Sequence, residues 1–367
     1  MFESKDRSRQ ARLGKRRRPG LLAVSLLVCL GGFAAQGRAL GQARAVWNDQ
    51  ATVRKVAFSP DGKTLASCSS EVAVRLWDVA SGKAIVSLPA DRLLSGCSLF
   101  TFTPDGKGLV ASAGRGQHDA EAKLGLNAER AILWDVATRK VQTTFDLPPG
   151  VTVEALTPDG KTLIAGTRDK RAILYDLATG KERATIDFDK EARGWCSLIA
   201  LSPDGKILAV AFESGAVVLW ELKKKEASRT IQASEDRGDE RIDVMRFSPD
   251  GKVIATSASQ AKAELWDVAT GKHLDTLDVS FSTSHIHEIA YAPDGKSVAL
   301  VGTGGCPALW DLAAGGERDD FGGPKRGARM VCVAFSPDGK TLAIAVNKTI
   351  ELWDVPPGRP TGIKPRE

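Results

Sequence analysis

The sequence predicts an all-β fold, a seven-bladed β-propeller of four-stranded antiparallel blades, its ring closed by an N-terminal strand. Three observations carry this. The tetrapeptide Pro-Asp-Gly-Lys occurs seven times, starting at Pro60, Pro104, Pro158, Pro203, Pro249, Pro293 and Pro337. An aromatic–acid pair follows every copy: Trp77-Asp78, Trp134-Asp135, Tyr175-Asp176, Trp220-Glu221, Trp266-Asp267, Trp310-Asp311 and Trp353-Asp354. Short strand-like runs fill the intervals, and a repeat of this period that cannot bury its own faces must pack in a ring.

Each element follows from local chemistry. Proline presets φ at the second position of a type I turn, aspartate suits the third, and glycine accepts the positive φ that follows. In the first repeat, Val53–Phe58 and Thr64–Ser67 flank that turn as a hairpin. Ala73–Asp78 and Ala84–Leu88 supply two more strands around a Ser81-Gly82-Lys83 turn. The last repeat has only three strands before Pro356-Pro357-Gly358, which cannot continue a sheet interior. Ala43–Trp47, ahead of the first repeat, is the expected fourth strand, joining the two ends of the ring.

On these turns and pairs, the chain resembles the WD-repeat β-propeller family over about residues 46–355. The resemblance implies a scaffold that binds protein or peptide partners on the face where the innermost strands begin. One family element is missing. Members commonly carry Gly-His before the innermost strand and an Asp before the third, which form a hydrogen-bonded group with a Ser/Thr and the Trp. No repeat here has the Gly-His, and the loop position reads Glu71, Asp169, Ser214, Gln260 and Gly304 in five repeats. Most such networks are therefore expected to be absent and the ring less uniform.

The formal charge of +6 misleads until it is mapped. Residues 1–20 carry eight basic and two acidic side chains, so the remainder is neutral. That argues against a nucleic-acid partner. The basic block precedes an uncharged run from Leu21 to Ala35, too short for a spanning helix and suited to a signal-peptide core. The expected organisation is a signal peptide or N-terminal membrane anchor over 1–41, a propeller over 42–355 and a Pro-rich tail over 356–367. The basic flank stays on the cytoplasmic side and the propeller is exported, to the periplasm or beyond, as in a bacterial secreted protein.

Residue patterns that carry catalytic chemistry are few, and no cofactor is expected. Four histidines, no Gly-x-Ser-x-Gly elbow, and Gly-Lys-Thr triplets confined to hairpin turns point away from hydrolase and nucleotide chemistry. Six cysteines without Cys-x-x-Cys spacing indicate no disulfide framework or zinc ribbon. Cys97 and Cys196, each seven residues before a turn proline, read as core thiols, and Cys68 and Cys332 fall on strands. His285 and His287 alternate on a strand, and Cys306 follows on the same rim. These three form the alternative candidate, a metal or small-molecule site with the enzymatic activity such a site would bring.

Partner-binding candidates come from the start of each innermost strand. The position eight before the turn proline reads Thr52, Gly96, Gly150, Trp195, Arg241, His285 and Arg329, with Arg54, Asp243 and His287 two residues on. Tryptophan and arginine are the residue types enriched in binding hot spots. The second repeat adds an insertion within about 114–127, expected to open on the same face. Glu154 and Arg246 stand at strand positions that are apolar or small in other repeats, and each needs a partner if buried. The reading is an exported, non-catalytic scaffold with Trp195, Arg241, Asp243, His285, His287, Arg329 and Arg54 as candidate partner contacts.

Overall fold

The computed structural model describes residues 43–70, 74–88, 97–112, 129–188, 190, 194–233, 241–258, 262–279, 285–302, 307–318 and 330–357. These residues form seven sheets of four strands each, every pairing antiparallel. The seven blades stand in a ring. Six take four consecutive strands; in the seventh, Ala45–Asn48 pairs with Thr349–Asp354 as the outermost strand. The ring is thus closed by the N-terminal strand, with Val46 opposite Glu351 and Trp47 opposite Ile350.

The burial pattern explains why the blades associate. The second strand of each blade is apolar on both faces, as in Thr162–Thr167 and Thr341–Val346, where every residue is buried. Such a strand reads as a continuous hydrophobic run because it has a blade on either side. Outermost strands are the opposite: Glu182–Asp187 is exposed along nearly its whole length. The core is accordingly a series of interblade clusters. One joins Cys68, Val74 and Leu76 of blade 1 to Cys97, Phe100 and Leu109 of blade 2.

The tetrapeptide turns do more than reverse the chain. In six blades a Ser or Thr before the proline donates to the turn aspartate, as Ser59 does to Asp61 at 2.6 Å and Ser248 to Asp250 at 2.7 Å. The same aspartate accepts the backbone N–H of the turn lysine, at 3.0 Å for Lys63. The turns also meet one another. A Cβ on Gly106 would lie 3.5 Å from Cδ of Pro60, and one on Gly62 would lie 3.5 Å from Cδ of Pro337. Each turn glycine rests on the proline of the preceding blade, all the way round. In five blades the acid of the aromatic–acid pair has an equally local role and accepts the N–H three residues on: Asp78 from Ser81 at 2.7 Å and Asp267 from Thr270 at 2.6 Å, with Asp135, Asp176 and Asp311 alike.

The tryptophan networks are uneven, as the missing Gly-His implies. Trp77 Nε1 donates to Ser67 Oγ at 2.9 Å, and Ser67 donates to Asp49 Oδ2 at 3.3 Å. Asp49 follows the closing strand and also holds Arg75, so blade 1 completes its network from the N-terminal segment. Trp266 donates to Thr256 at 3.0 Å, and Trp353 to Glu351 at 3.1 Å. The indole N–H groups of Trp220 and Trp310 are buried with no acceptor among the described residues. Asp169 engages Thr167 and Arg171 rather than a tryptophan.

Candidate functional site

The first strands of the blades enclose a central channel of about 1120 Å³. Lys55, Phe100, Leu156, Ile199, Arg246, Glu288 and Val333, one from each blade, line it. In blades 1, 3, 4, 6 and 7 the first strand carries a bulge, the extra residue being Arg54, Glu154, Ser197, His287 and Val331. A bulge resets the strand's alternation and re-aims the side chains beside it. Lys55 and Glu288, each just past its bulge, both line the channel.

There they form a buried charge cluster. Lys55 Nζ lies 2.7 Å from Glu288 Oε2, and Arg246 Nη2 pairs with Oε1 of the same carboxylate. Glu288 is 5% exposed. Burial works against both charges, yet Glu288 holds the Lys55 ammonium above its ordinary range. Burial likewise opposes the Glu288 charge, but Arg246 and Lys55 outweigh it and keep the carboxyl below its ordinary range. This supplies the partner that Arg246 requires. Cys332 lies beside the cluster on the channel wall, its thiol pushed up by burial.

At the mouth where the first strands begin, Trp195, Arg241, Asp243 and His287 line the channel together with Arg168. Arg241 forks onto Asp243 Oδ1 with Nη2 at 2.9 Å and Nε at 3.1 Å. Arg168, exposed on the loop between the second and third strands of blade 3, makes no hydrogen bond or ion pair to a described residue. Seven of the eight tryptophans are buried, whereas Trp195 is 44% exposed.

The remaining candidates divide. Arg54 is half-buried on the blade 1 bulge, its Nε without a described acceptor, and it does not line the channel. His285 and His287 are exposed on either side of buried Ile286. Arg329, Cys306, Gly96 and the insertion at 114–127 lie outside the described residues, as does the run from Leu21 to Ala35. Among described residues no set of three His, Cys, Asp or Glu side chains is placed to hold a metal, and no helix is long and apolar enough to cross a membrane. Lys55 and Glu288 were not singled out by the sequence reading. The signal was there: five residues before the turn proline, other blades have Leu99, Val153, Leu198, Val244 and Cys332.

Comparison with protein families matches residues 321–354 to the WD domain, G-beta repeat, and residues 41–103 to the anaphase-promoting complex subunit 4 WD40 domain. The chain belongs to the WD-repeat propeller family. A family described only as a domain of unknown function (DUF7165) matches residues 93–287, more than half of the length, and the chain belongs to it as well. The search of curated proteins finds no match. WD-repeat propellers are typically non-enzymatic scaffolds that bind protein partners.

Proposed function

We propose that this WD-repeat propeller is an exported, non-catalytic scaffold that binds a protein or peptide at the channel mouth where its innermost strands begin. Trp195 carries the reading. It is the tryptophan left exposed when seven others are buried, and it stands on one rim with Arg168, Arg241 and Asp243. Large aromatic and arginine side chains beside a concave opening are what interface hot spots are made of. The opposite face offers less, because Lys206 and Lys252 of its turns pair with Asp204 and Asp250 of the same turns. Export rests on the basic block and uncharged run at the N-terminus.

Crosslinking followed by pull-down from the cell envelope fraction tests both parts. Wild-type protein captures a partner there, and Trp195→Ala with Arg241→Ala loses it. Recovery of the protein only in the cytoplasm overturns export. Capture of the same partner by the double variant overturns the mouth as the binding site.

A further inference from the structure

The cysteines that sequence spacing left without a role are brought together between blades 1 and 2. Cys68 lies on the second strand of blade 1, and Cys97 just before the first strand of blade 2. Both belong to one interblade core cluster, and the two thiols are close enough for Cys68 to perturb the ionisation of Cys97. Cys97 also lies on the channel wall, which gives small molecules a route to its sulfur.

The repeat provides a second view of the same geometry. Gly166 in blade 3 and Cys68 each stand eight residues after a turn proline; Cys196 in blade 4 and Cys97 each stand seven before one. A Cβ on Gly166 would lie 3.6 Å from Cys196 Sγ. The two sulfurs also sit alike, Cys97 Sγ contacting the Leu99 carbonyl at 3.3 Å and Cys196 Sγ the Leu198 carbonyl at 3.8 Å. The register thus brings one sulfur into van der Waals contact with the Cβ position of the other residue, and side-chain rotation would have to close the rest of the distance to an S–S bond of about 2.0 Å.

We infer that Cys68 and Cys97 are an oxidisable pair, forming an interblade disulfide by exchange with a small-molecule disulfide that enters the channel. The Cys97 thiolate attacks one sulfur of the incoming disulfide and expels the other half as a thiolate. The Cys68 thiolate then attacks Cys97 Sγ and expels the second half. Two protein thiols are oxidised, one small disulfide is reduced to two thiols, and the two released protons go to the leaving thiolates. The neighbouring Cys68 thiol, with burial, raises the Cys97 thiol well above its ordinary value, so exchange is slow.

The full chain, incubated with oxidised glutathione and then alkylated and digested without reduction, provides the test. The expected product is a Cys68–Cys97 crosslinked peptide lighter by two hydrogens, while Cys196 and Cys332 stay alkylated. Closing a loop of about 30 residues also raises the thermal midpoint by about 5 °C, reversed by reductant. Cys68 and Cys97 both recovered alkylated overturn the inference. So does Cys97 recovered as a stable glutathione adduct or joined to Cys332, because either means that Cys68 is not its resolving partner. Wild-type protein answers the question without a variant that has to fold.

Discussion

Lys55 Nζ lies 2.7 Å from Glu288 Oε2, although the two residues belong to blades 1 and 6 and blade 7 stands between them. Arg246 of blade 5 holds the other oxygen. One carboxylate therefore ties together blades on both sides of the closing blade, reinforcing from inside the channel what the pairing of Ala45–Asn48 does at the outer edge.

Removing that carboxylate leaves cations facing each other in the channel. Breaking a buried pair costs about 3–5 kcal/mol, and the part of Arg246 still in solvent brings the expectation for Glu288→Gln to about 2–3 kcal/mol. Urea unfolding measures it. A Lys55→Met/Glu288→Met double variant should recover part of the loss, because the apolar pair needs no counter-charge while Arg246, partly in solvent, is left without its partner. A Glu288→Gln midpoint equal to wild type would mean that the cluster contributes nothing.

The contrast between fold and site explains how much the sequence disclosed. Blade number and strand order were legible because each depends on residues within one repeat, such as the Pro60 turn and the Trp77-Asp78 pair, and the closing strand because the last repeat is one strand short. The Lys55–Glu288 contact depends on ring curvature and on bulges at Arg54 and His287, which no single repeat displays. Arg246 could be recognised as needing a partner, but its partner lies in a different column of the repeat. Asp49 was equally hidden: it completes the Trp77 network from outside the repeat that contains it.

The tryptophans should separate by their hydrogen bonds. Trp77→Phe removes a donor to Ser67 in a buried network, whereas Trp310→Phe removes an N–H that has no described acceptor. Both lose similar ring area. The expected difference is about 1–2 kcal/mol, Trp77→Phe being the more destabilising. Denaturant midpoints of the two variants decide it, and equal losses would show that the networks add nothing to packing.

Blade 6 offers a gain. It has Ala292 where six blades have a Ser or Thr that donates to the turn aspartate and accepts the N–H five residues on, as Ser59 does for Asp61 and Thr64. Asp294 already receives the Lys296 N–H at 3.0 Å, so the acceptor is in place. Ala292→Ser should stabilise by about 0.5–1 kcal/mol, seen as a higher thermal midpoint. A lower midpoint would mean that this buried site has no room for the hydroxyl.

Acid should unfold the ring through its turns. The Lys206 ammonium, 2.9 Å away, and the Ser202 hydroxyl hold the Asp204 carboxyl down to about 2. Hydrogen bonds from Ser or Thr likewise lower Asp61, Asp105, Asp159, Asp250 and Asp338. A carboxyl whose folded value lies below its unfolded one stabilises above the unfolded value, about 4, and loses that stabilisation as pH falls through the folded value. Glu288 has the same sign. Stability should therefore hold from pH 8 to about 5 and fall steeply below about 4, with net proton uptake on unfolding. Urea midpoints across that range give the slope. Asp204→Asn should start lower and fall less between pH 4 and 2, because the variant lacks one of the groups that titrate there. A slope unchanged by that substitution would place the acid sensitivity outside the turns.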